Sequence, residues 1–141
     1  MNNKTIVKVS TSIIDTGTFF IIGDFANVSL IYNAIPDARQ LRDLAYWELP
    51  CKTNVNVTLA FGGKSWPIPR SSFILPRDII GEEGPASLGE DRCIGGIVHA
   101  TGSRQDGSER WVIGDVFLRG VYTVFDVGKK KIGFAELNEQ F

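Results

Sequence analysis

An aspartate stands between two apolar runs near the start of the chain, in the stretch SIIDTGTFFIIGD of residues 12 to 24. Two isoleucines precede Asp15, and Thr-Gly-Thr follows it. A carboxylate held where a strand stops is able to act as an acid or a base, but Asp, Thr and Gly are also typical turn residues. On its own the triplet therefore leaves two interpretations open, a turn former and one half of a catalytic pair.

A second short motif near the other end of the chain makes the catalytic interpretation more specific. It reads Val112-Ile113-Gly114, an apolar pair followed by glycine. Two strands that carry these motifs are able to cross so that a tight, glycine-assisted loop is threaded between them. We expect such a crossing to leave the Asp15 carboxylate at the bottom of a cleft.

Other catalytic chemistries lack essential residues in this chain. His99 is the only histidine, and its apolar surroundings in the sequence favour a structural role. No serine lies in a nucleophile-elbow motif, no cysteine lies in a Cys-His motif, and the cysteines do not have metal-ligand spacing. The glycine pairs at 62–63 and 95–96 lack the other residues of a phosphate-binding loop. We therefore expect no metal and no cofactor.

The composition limits the number of domains and the classes of partner. The chain has 141 residues, 43% of them hydrophobic, which suffices for one core and is too little for two ordinary domains. Lysine and arginine total 15 against 16 for aspartate and glutamate, so we expect no nucleic-acid partner. No apolar run is long enough to span a bilayer, and the first residues lack the apolar segment of a secretory signal. We therefore expect no membrane partner and no signal peptide in this chain.

Cys51 and Cys93 are the only cysteines, so one intramolecular disulfide is the only pairing that the chain offers. Two buried free thiols are the alternative, and composition alone leaves both possibilities open. Three Asn-x-Ser/Thr sequons begin at Asn3, Asn27 and Asn56, and they are usable only in a secretory pathway. Because such triplets often arise by chance, they give weak support for secretion.

Short segments rich in Val, Ile, Phe, Thr and Trp alternate with Gly, Pro, Asn and Asp, which is typical of a β-protein. The sequence predicts one clear helix from Asp24 to Ile35, with Asp24 as its cap, and a single helical turn after Asp115. The acidic segment from Arg77 to Asp91 has no periodicity and is predicted to be a surface loop. Hairpin turns with glycine at positive φ are predicted in FGGKSW and VGKKKI. The predicted strands are Thr5 to Asp15, Ala45 to Leu49, Val55 to Phe61, Ser65 to Ile68, Cys93 to Ala100, Arg110 to Ile113, Val121 to Asp126 and Lys131 to Leu137.

Five stretches of the sequence together resemble the C-terminal lobe of the pepsin-like aspartic peptidases, and the loops are similar to those of secreted fungal members. The stretches are IIDTGTFFIIGD, YWELPC, LAFGGKSWPIP, CIGGIV and WVIGDVFLRGVYTVFDVGKKKIGFAEL, so the resemblance runs from about Thr5 to Leu137. It implies a mainly β fold, a single lobe of the bilobal pepsin-like acid protease fold with one or two short helices. It also implies aspartic-type endopeptidase activity on a peptide or protein substrate.

The resemblance implies a role for each residue of the Asp15 motif. Asp15 matches the catalytic aspartate of the family's second lobe, and Thr16 matches the threonine of the buried hydrogen-bond network beneath the catalytic pair. Gly17 and Thr18 match positions beside bound substrate. Phe19 departs from the pattern, because the family usually has Ser or Thr there, and a bulky ring replaces a hydroxyl that bonds the substrate backbone.

The resemblance also implies a disulfide between Cys51 and Cys93 and a missing partner lobe. No other aspartate of the chain lies in a second Asp-Thr/Ser-Gly motif, and the tyrosine-bearing flap of the family's first lobe has no counterpart. The chemistry needs two carboxylates that share one proton. We therefore expect residues 1–141 to be a truncated C-terminal lobe without its N-terminal lobe, inactive alone. The parent protein is expected to be secreted to the extracellular space or vacuolar.

Three hypotheses about function remain open at this point. The favoured one is a piece of an aspartic endopeptidase, to which this chain supplies one catalytic aspartate and half of the substrate cleft. The second is a homodimeric peptidase of the retroviral type, in which two copies of Asp15 form the pair. The third is a non-enzymatic inhibitor or binding protein on the same scaffold, which only Phe19 suggests. Exposed strands and apolar surface also predict self-association of the isolated chain.

Overall fold

The structure is a computed structural model that describes Met1 and residues 4–9, 11–41, 44–83, 89–100 and 110–138. Within these residues the fold is mainly β, as predicted, with three short α-helices and one 3-10 helix. The helices are Phe25–Asn33 (α1), Arg70–Phe73 (α2), Asp115–Leu118 (α3) and the 3-10 helix Arg77–Glu83. The strands are Ser12–Ile14 (β1), Ile21–Gly23 (β2), Arg39–Gln40 (β3), Trp47–Pro50 (β4), Thr58–Phe61 (β5), Lys64–Pro67 (β6), Ile74–Leu75 (β7), Arg92–Gly95 (β8), Ile97–His99 (β9), Trp111–Ile113 (β10), Tyr122–Asp126 (β11) and Lys131–Ala135 (β12).

Four strands form the central sheet in the order β1-β10-β2-β9. β10 runs parallel to β1 and antiparallel to β2, and β2 runs parallel to β9. The chain passes from β1 to β2 through the loop that contains Asp15, while β10, from far along the sequence, occupies the place between them. Ile13 pairs with Val112 and Ile14 with Ile113, so the structure brings the two motifs together on neighbouring parallel strands.

The second sheet has the order β3-β4-β8-β7 and contains a buried carboxylate. Glu48 on β4 is only 1% exposed, and it forms ion pairs with Arg39 on β3 and with Arg92 on β8. A buried carboxylate is tolerated only when it is paired in this way, and here the pairs span three adjacent strands. These ion pairs therefore help to hold β3, β4 and β8 in register.

Two hairpins, β5–β6 and β11–β12, form the remaining sheets. The first turns at Gly62 and Gly63, whose φ angles of 57° and 84° confirm the predicted use of glycine. In the second hairpin that prediction is wrong, because Lys130 is the turn residue at positive φ (52°). The turn is instead stabilised by Asp126, whose side chain accepts a hydrogen bond from the Lys129 N–H at 2.9 Å.

Buried apolar side chains form one core, and the fully buried Tyr32 of α1 joins it to both main sheets. Its ring stacks on Trp47 at 4.9 Å, and its hydroxyl donates to the Ile97 carbonyl oxygen at 2.6 Å. A Cβ atom at Gly95 would overlap with this tyrosine. The prediction of one strand from Cys93 to Ala100 is therefore wrong, because the chain turns beside Tyr32 and continues as β9 in the other sheet.

The remaining element predictions are confirmed in part. The predicted helix appears as α1, which follows the Asp24 cap and ends at Asn33, two residues before the predicted end. Of the strand predicted from Thr5 to Asp15, only β1 forms. The predicted loop from Arg77 to Asp91 begins with the 3-10 helix, and its residues 84–88 lie outside the described residues. The sequence did not predict β2, β3, β7 or α2.

Candidate active site

Asp15 directly follows β1, where that strand ends beside β10. Its backbone N–H donates to the Ile113 carbonyl oxygen at 3.0 Å, which extends the bonding between the two strands by one residue. The aspartate itself is partly exposed. The strand pair thus fixes the backbone of Asp15 while solvent still has access to the residue.

Two donors from the following loop hold the Asp15 carboxylate. The Thr18 hydroxyl donates to Oδ2 at 2.6 Å, and the Gly17 backbone N–H donates to Oδ1 at 2.9 Å. The Thr18 bond, and after it the Gly17 bond, lowers the pKa of Asp15 below its ordinary value, against a smaller opposing effect of burial. The loop therefore stabilises the ionised carboxylate.

The start of α3 packs directly against this loop. The Asp115 N–H donates to the Thr18 carbonyl oxygen at 2.8 Å, and the Val116 N–H donates to that of Phe19 at 2.9 Å. These are helix-terminal N–H groups that have no partner inside the helix, so the loop satisfies them. A Cβ atom at Gly114 would overlap with the carbonyl oxygens of Thr18 and Phe20, and glycine is therefore required for this close approach.

The surroundings of Phe19 differ from those of Thr16. The partly buried Phe19 ring meets Phe20 edge-on with centroids 5.1 Å apart, and the Arg119 guanidinium lies 5.0 Å from its centroid. Thr16 is exposed, and its side chain makes no hydrogen bond within the described residues. Of the predicted site residues, the structure thus brings Asp15, Gly17 and Thr18 together, places Phe19 beside them and leaves the Thr16 hydroxyl open to solvent.

A hydrogen bond that the sequence did not predict anchors β10 to α1. The Trp111 indole N–H donates to Asp24 Oδ2 at 3.2 Å, and the same carboxylate accepts bonds from the backbone and side chain of Asn27, each at 2.9 Å. Burial raises the pKa of Asp24, but these hydrogen bonds outweigh it and hold the pKa below its ordinary value. The helix cap was recognisable locally, whereas its bond to Trp111, 87 positions away, has no local signal.

The second sheet contains the disulfide that the resemblance implied. Cys51 and Cys93 are bonded, with Cα atoms 4.9 Å apart and 42 positions between them in sequence. The bond joins the residue after β4 to β8, away from the central sheet. It stabilises the scaffold and takes no part in the Asp15 site.

A groove of about 400 Å³ lies beside β1. Ser12 and Ile14 line it from β1, and Phe61 and Gly62 line it from the tip of the β5–β6 hairpin. Within the described ranges, no group of three or more His, Cys, Asp and Glu side chains is placed to hold a metal ion. In the same residues, no helix combines the length and apolar character that crossing a membrane requires.

Comparison with known proteins places this chain in a family. The family model described as eukaryotic aspartyl protease matches residues 1–137. The chain is 40% identical over 135 residues to an aspartic protease of Phaffia rhodozyma, which covers 92% of the chain and 30% of that protein. It is 37% identical over 136 residues to a probable aspartic-type endopeptidase CTSD of Trichophyton verrucosum, with 96% and 24% covered, and 29% identical over 127 residues to gastricsin of Homo sapiens, with 88% and 29% covered.

The chain therefore spans between 24% and 30% of the length of these three relatives, which is consistent with one lobe of a longer protein. Its mainly β fold, with a strand threaded beside the Asp-Thr-Gly loop, is that of a single pepsin-like lobe. The chain belongs to the eukaryotic aspartyl protease family, as a pepsin-like aspartic peptidase sequence.

Proposed function

We propose that this chain supplies one of the two catalytic carboxylates of an aspartic-type endopeptidase. The observation that carries the proposal is the environment of Asp15, a partly exposed carboxylate at a strand end, hydrogen-bonded by Gly17 and Thr18. Membership of the family supports the class of reaction, and the surroundings of Asp15 support its choice as the catalytic residue. The activity of the longer protein, its substrates and its partners are all parts of the proposal.

One carboxylate is insufficient for this reaction. Peptide hydrolysis needs a base that takes a proton from water and an acid that donates one to the scissile carbonyl. Two carboxylates at close range divide these roles, because their like charges raise the apparent pKa of one member of the pair. In the isolated chain the loop favours ionised Asp15, and in the described part no other carboxylate bonds to it. We propose that a separate lobe supplies the second aspartate and that residues 1–141 act as the C-terminal lobe.

The neighbours of Asp15 are assigned roles that follow from their positions. Gly17 and Thr18 lie beside the carboxylate, where the backbone of an extended peptide substrate would pass. Phe19 extends that wall with an apolar ring, supported by Arg119. The exposed Thr16 hydroxyl is proposed to join a hydrogen-bond network with the loop of the missing lobe. The cleft would then be complete only when both lobes are present.

The disulfide supports a site of action outside reducing compartments. A bond between Cys51 and Cys93 is maintained in secreted and other oxidising environments and is reduced in the cytosol. We therefore place the parent protein in the extracellular space or in the vacuole. Its substrate is proposed to be a peptide or an unfolded protein segment that enters the cleft in extended form.

A complementation assay tests the proposal. The chain alone is expected to show no appreciable peptidase activity, because it has neither the second carboxylate nor the second wall of the cleft. The same chain joined to a first lobe is expected to cleave peptides at acidic pH, with inhibition by pepstatin. Asp15→Asn should abolish that activity, while Asp78→Asn, at an exposed aspartate of the 3-10 helix, should leave it intact.

Two results would count against the proposal. If the completed enzyme stays active with Asp15→Asn, Asp15 is not a catalytic residue. Activity of the purified chain alone that rises with the square of its concentration, and that is lost in Asp15→Asn, would instead establish a homodimeric peptidase.

A further inference from the structure

We propose that Asn56 is an N-glycosylation site of this chain and that Asn27 is not, although each begins an Asn-x-Ser/Thr sequon. The two sequons are Asn56-Val57-Thr58 and Asn27-Val28-Ser29. Both fit the Asn-x-Ser/Thr pattern with the same middle residue and differ in the hydroxyl residue, Thr58 against Ser29, so the pattern marks both as candidates. Their surroundings in the fold distinguish them.

The Asn56 sequon presents both of its functional side chains to solvent. Asn56 and Thr58 are exposed, whereas Val57 between them is only 6% exposed and belongs to the core. The Val57 carbonyl oxygen also accepts a hydrogen bond from the Ile68 N–H at 2.8 Å. Alternate residues of an extended segment point to opposite sides, so a sugar on Asn56 projects outward without disturbing the packing of Val57.

The Asn27 sequon is incorporated into α1. The Asn27 side-chain nitrogen, which would carry the sugar, donates to Asp24 in the partly buried cluster that also binds Trp111. The Ser29 hydroxyl donates to the Phe25 carbonyl oxygen at 2.7 Å, one turn back along the helix. A glycan at Asn27 would crowd the bond that anchors β10, so the folded chain accommodates it poorly.

A glycan on Asn56 would also be attached away from the groove beside β1. Asn56 precedes β5, and Phe61 at the other end of that strand lines the groove beside β1. Five residues of extended chain separate the two positions by roughly 17 Å. The inference is independent of the proposed peptidase activity, since it requires only that the chain enters the secretory pathway.

The modification is a group transfer with a donor that the secretory pathway supplies. The Asn56 amide nitrogen forms a bond to the anomeric carbon of an oligosaccharide carried on a polyprenyl diphosphate. The bond from that carbon to the diphosphate oxygen breaks, the nitrogen loses one proton, and the polyprenyl diphosphate leaves. The Asn56 side chain keeps one N–H.

Expression of the chain behind a cleavable secretory signal in eukaryotic cells tests the inference. All variants carry Asn3→Gln, because Asn3, which begins the remaining sequon, lies outside the described residues. We expect one N-glycan, seen as a loss of mass on treatment with an amidase that converts glycosylated Asn to Asp. Asn56→Gln should remove this glycan completely, and Asn27→Gln should leave its occupancy unchanged.

Substitutions of the hydroxyl residue provide matched controls. Thr58→Ala should abolish the glycan, while Thr58→Ser, which restores a hydroxyl, should retain it. If a variant is not secreted, translation in the presence of microsomes gives the same comparison without requiring export of the folded chain, with loss of the glycosidase-sensitive band in Asn56→Gln as the expected result. Unmodified Asn56, a band that persists in Asn56→Gln, or a glycan on Asn27 of the secreted chain would overturn the inference.

Discussion

The Thr18 hydroxyl makes the largest contribution to lowering the pKa of Asp15. Its bond to Oδ2, at 2.6 Å, is the shorter of the two bonds that the carboxylate accepts from the loop. Hydrogen bonds to an ionised group are stronger than neutral ones, so this bond favours the ionised form. The Gly17 bond comes from the backbone and survives any change of side chain at position 18.

Thr18→Val should therefore raise the pKa of Asp15 toward its ordinary value. Valine has nearly the same shape as threonine but no hydroxyl, and only the Gly17 bond remains to lower the pKa. Thr18→Ser keeps a hydroxyl and should leave the pKa lowered. An NMR titration of the Asp15 carboxyl carbon measures both variants, and an unchanged titration in Thr18→Val would disprove the assignment.

Phe19→Ser or Phe19→Thr should improve cleavage of long peptides more than of short ones in the completed two-lobe enzyme. A hydroxyl at position 19 would donate a hydrogen bond to the substrate backbone. Such a bond contributes about 1 kcal/mol, which corresponds to roughly a fivefold increase in kcat/KM. Phe19→Leu, which removes the ring without adding a hydroxyl, is the control and should lack this gain. Equal improvement for short and long peptides would mean that the ring points away from the cleft.

The Asp15 motif and its association with Val112-Ile113-Gly114 are the part of the site that was predicted. Asp15 bonds to residues two and three positions away, so a four-residue motif contains the whole arrangement. The Arg119 guanidinium over Phe19 and the Trp111 bond to Asp24 join residues from opposite ends of the chain. No local pattern predicts such pairs, because folding alone brings them together.

Among the elements, α1 and β10 depend on one carboxylate. Asp24 caps the helix through Asn27 and holds the first residue of β10 through Trp111. Because the pKa of Asp24 is lowered in the folded chain, its ionised form stabilises the fold at pH values above the ordinary aspartate pKa. This contribution is lost as the pH falls through the lowered folded-state pKa.

Asp24→Asn should make the stability of the chain less sensitive to acid. Asparagine keeps the helix cap but offers an NH2 donor where Oδ2 accepts from Trp111 and Asn27, so stability at neutral pH should fall and the pH-dependent contribution should disappear. Urea unfolding at a series of pH values measures the effect, with Asp78→Asn as the exposed control. Asp24→Ala, which also removes the cap, should cost about 1 kcal/mol at neutral pH. Identical pH profiles for the wild type and Asp24→Asn would refute the linkage.

Elements with local signals were predicted, whereas several that depend on distant contacts were not. The Asp24 cap and the glycines of the β5–β6 turn are local, and both features were recognised. The division of the predicted 93–100 strand results from Tyr32, whose hydroxyl bonds to Ile97 from another element. The short α2 has no side-chain hydrogen bond at its cap, and its sequence gives no start signal.

For the molecule as a whole, the disulfide is the main covalent constraint. Closing a loop of this length stabilises the fold by about 4 kcal/mol on the chain-entropy model. Reduction should therefore lower the urea midpoint markedly, while intact mass after alkylation should reveal no free thiol in the oxidised chain. Two alkylatable thiols in oxidised, folded material would contradict the pairing of Cys51 with Cys93.

The β11–β12 hairpin should make the isolated chain self-associate. Tyr122 and Val124 on one face of β11 are 62% and 46% exposed, and exposed apolar surface of this kind favours association with another molecule. Tyr122→Lys combined with Val124→Lys should weaken association by about tenfold, or ~1.4 kcal/mol. Sedimentation velocity over a concentration series measures this, and Ser71→Lys on the exposed side of α2 adds charge elsewhere as the control. A wild-type chain that stays monomeric at all concentrations would refute the prediction.

The placement of β10 between β1 and β2 also governs the order of folding. Val112 pairs with Ile13 and with Ile22, which lie about 90 to 100 positions earlier in the chain. Contacts of such long range form slowly, because closing a large loop costs conformational entropy before any hydrogen bond between the strands can offset that cost. A nascent chain that lacks its last third has the Asp-Thr-Gly residues but no strand to hold them. The Asp15 amide hydrogen, bonded to Ile113, should accordingly exchange with solvent only when the central sheet opens. The position of the Asp15 carboxylate is therefore established when this sheet folds and is lost when the sheet unfolds.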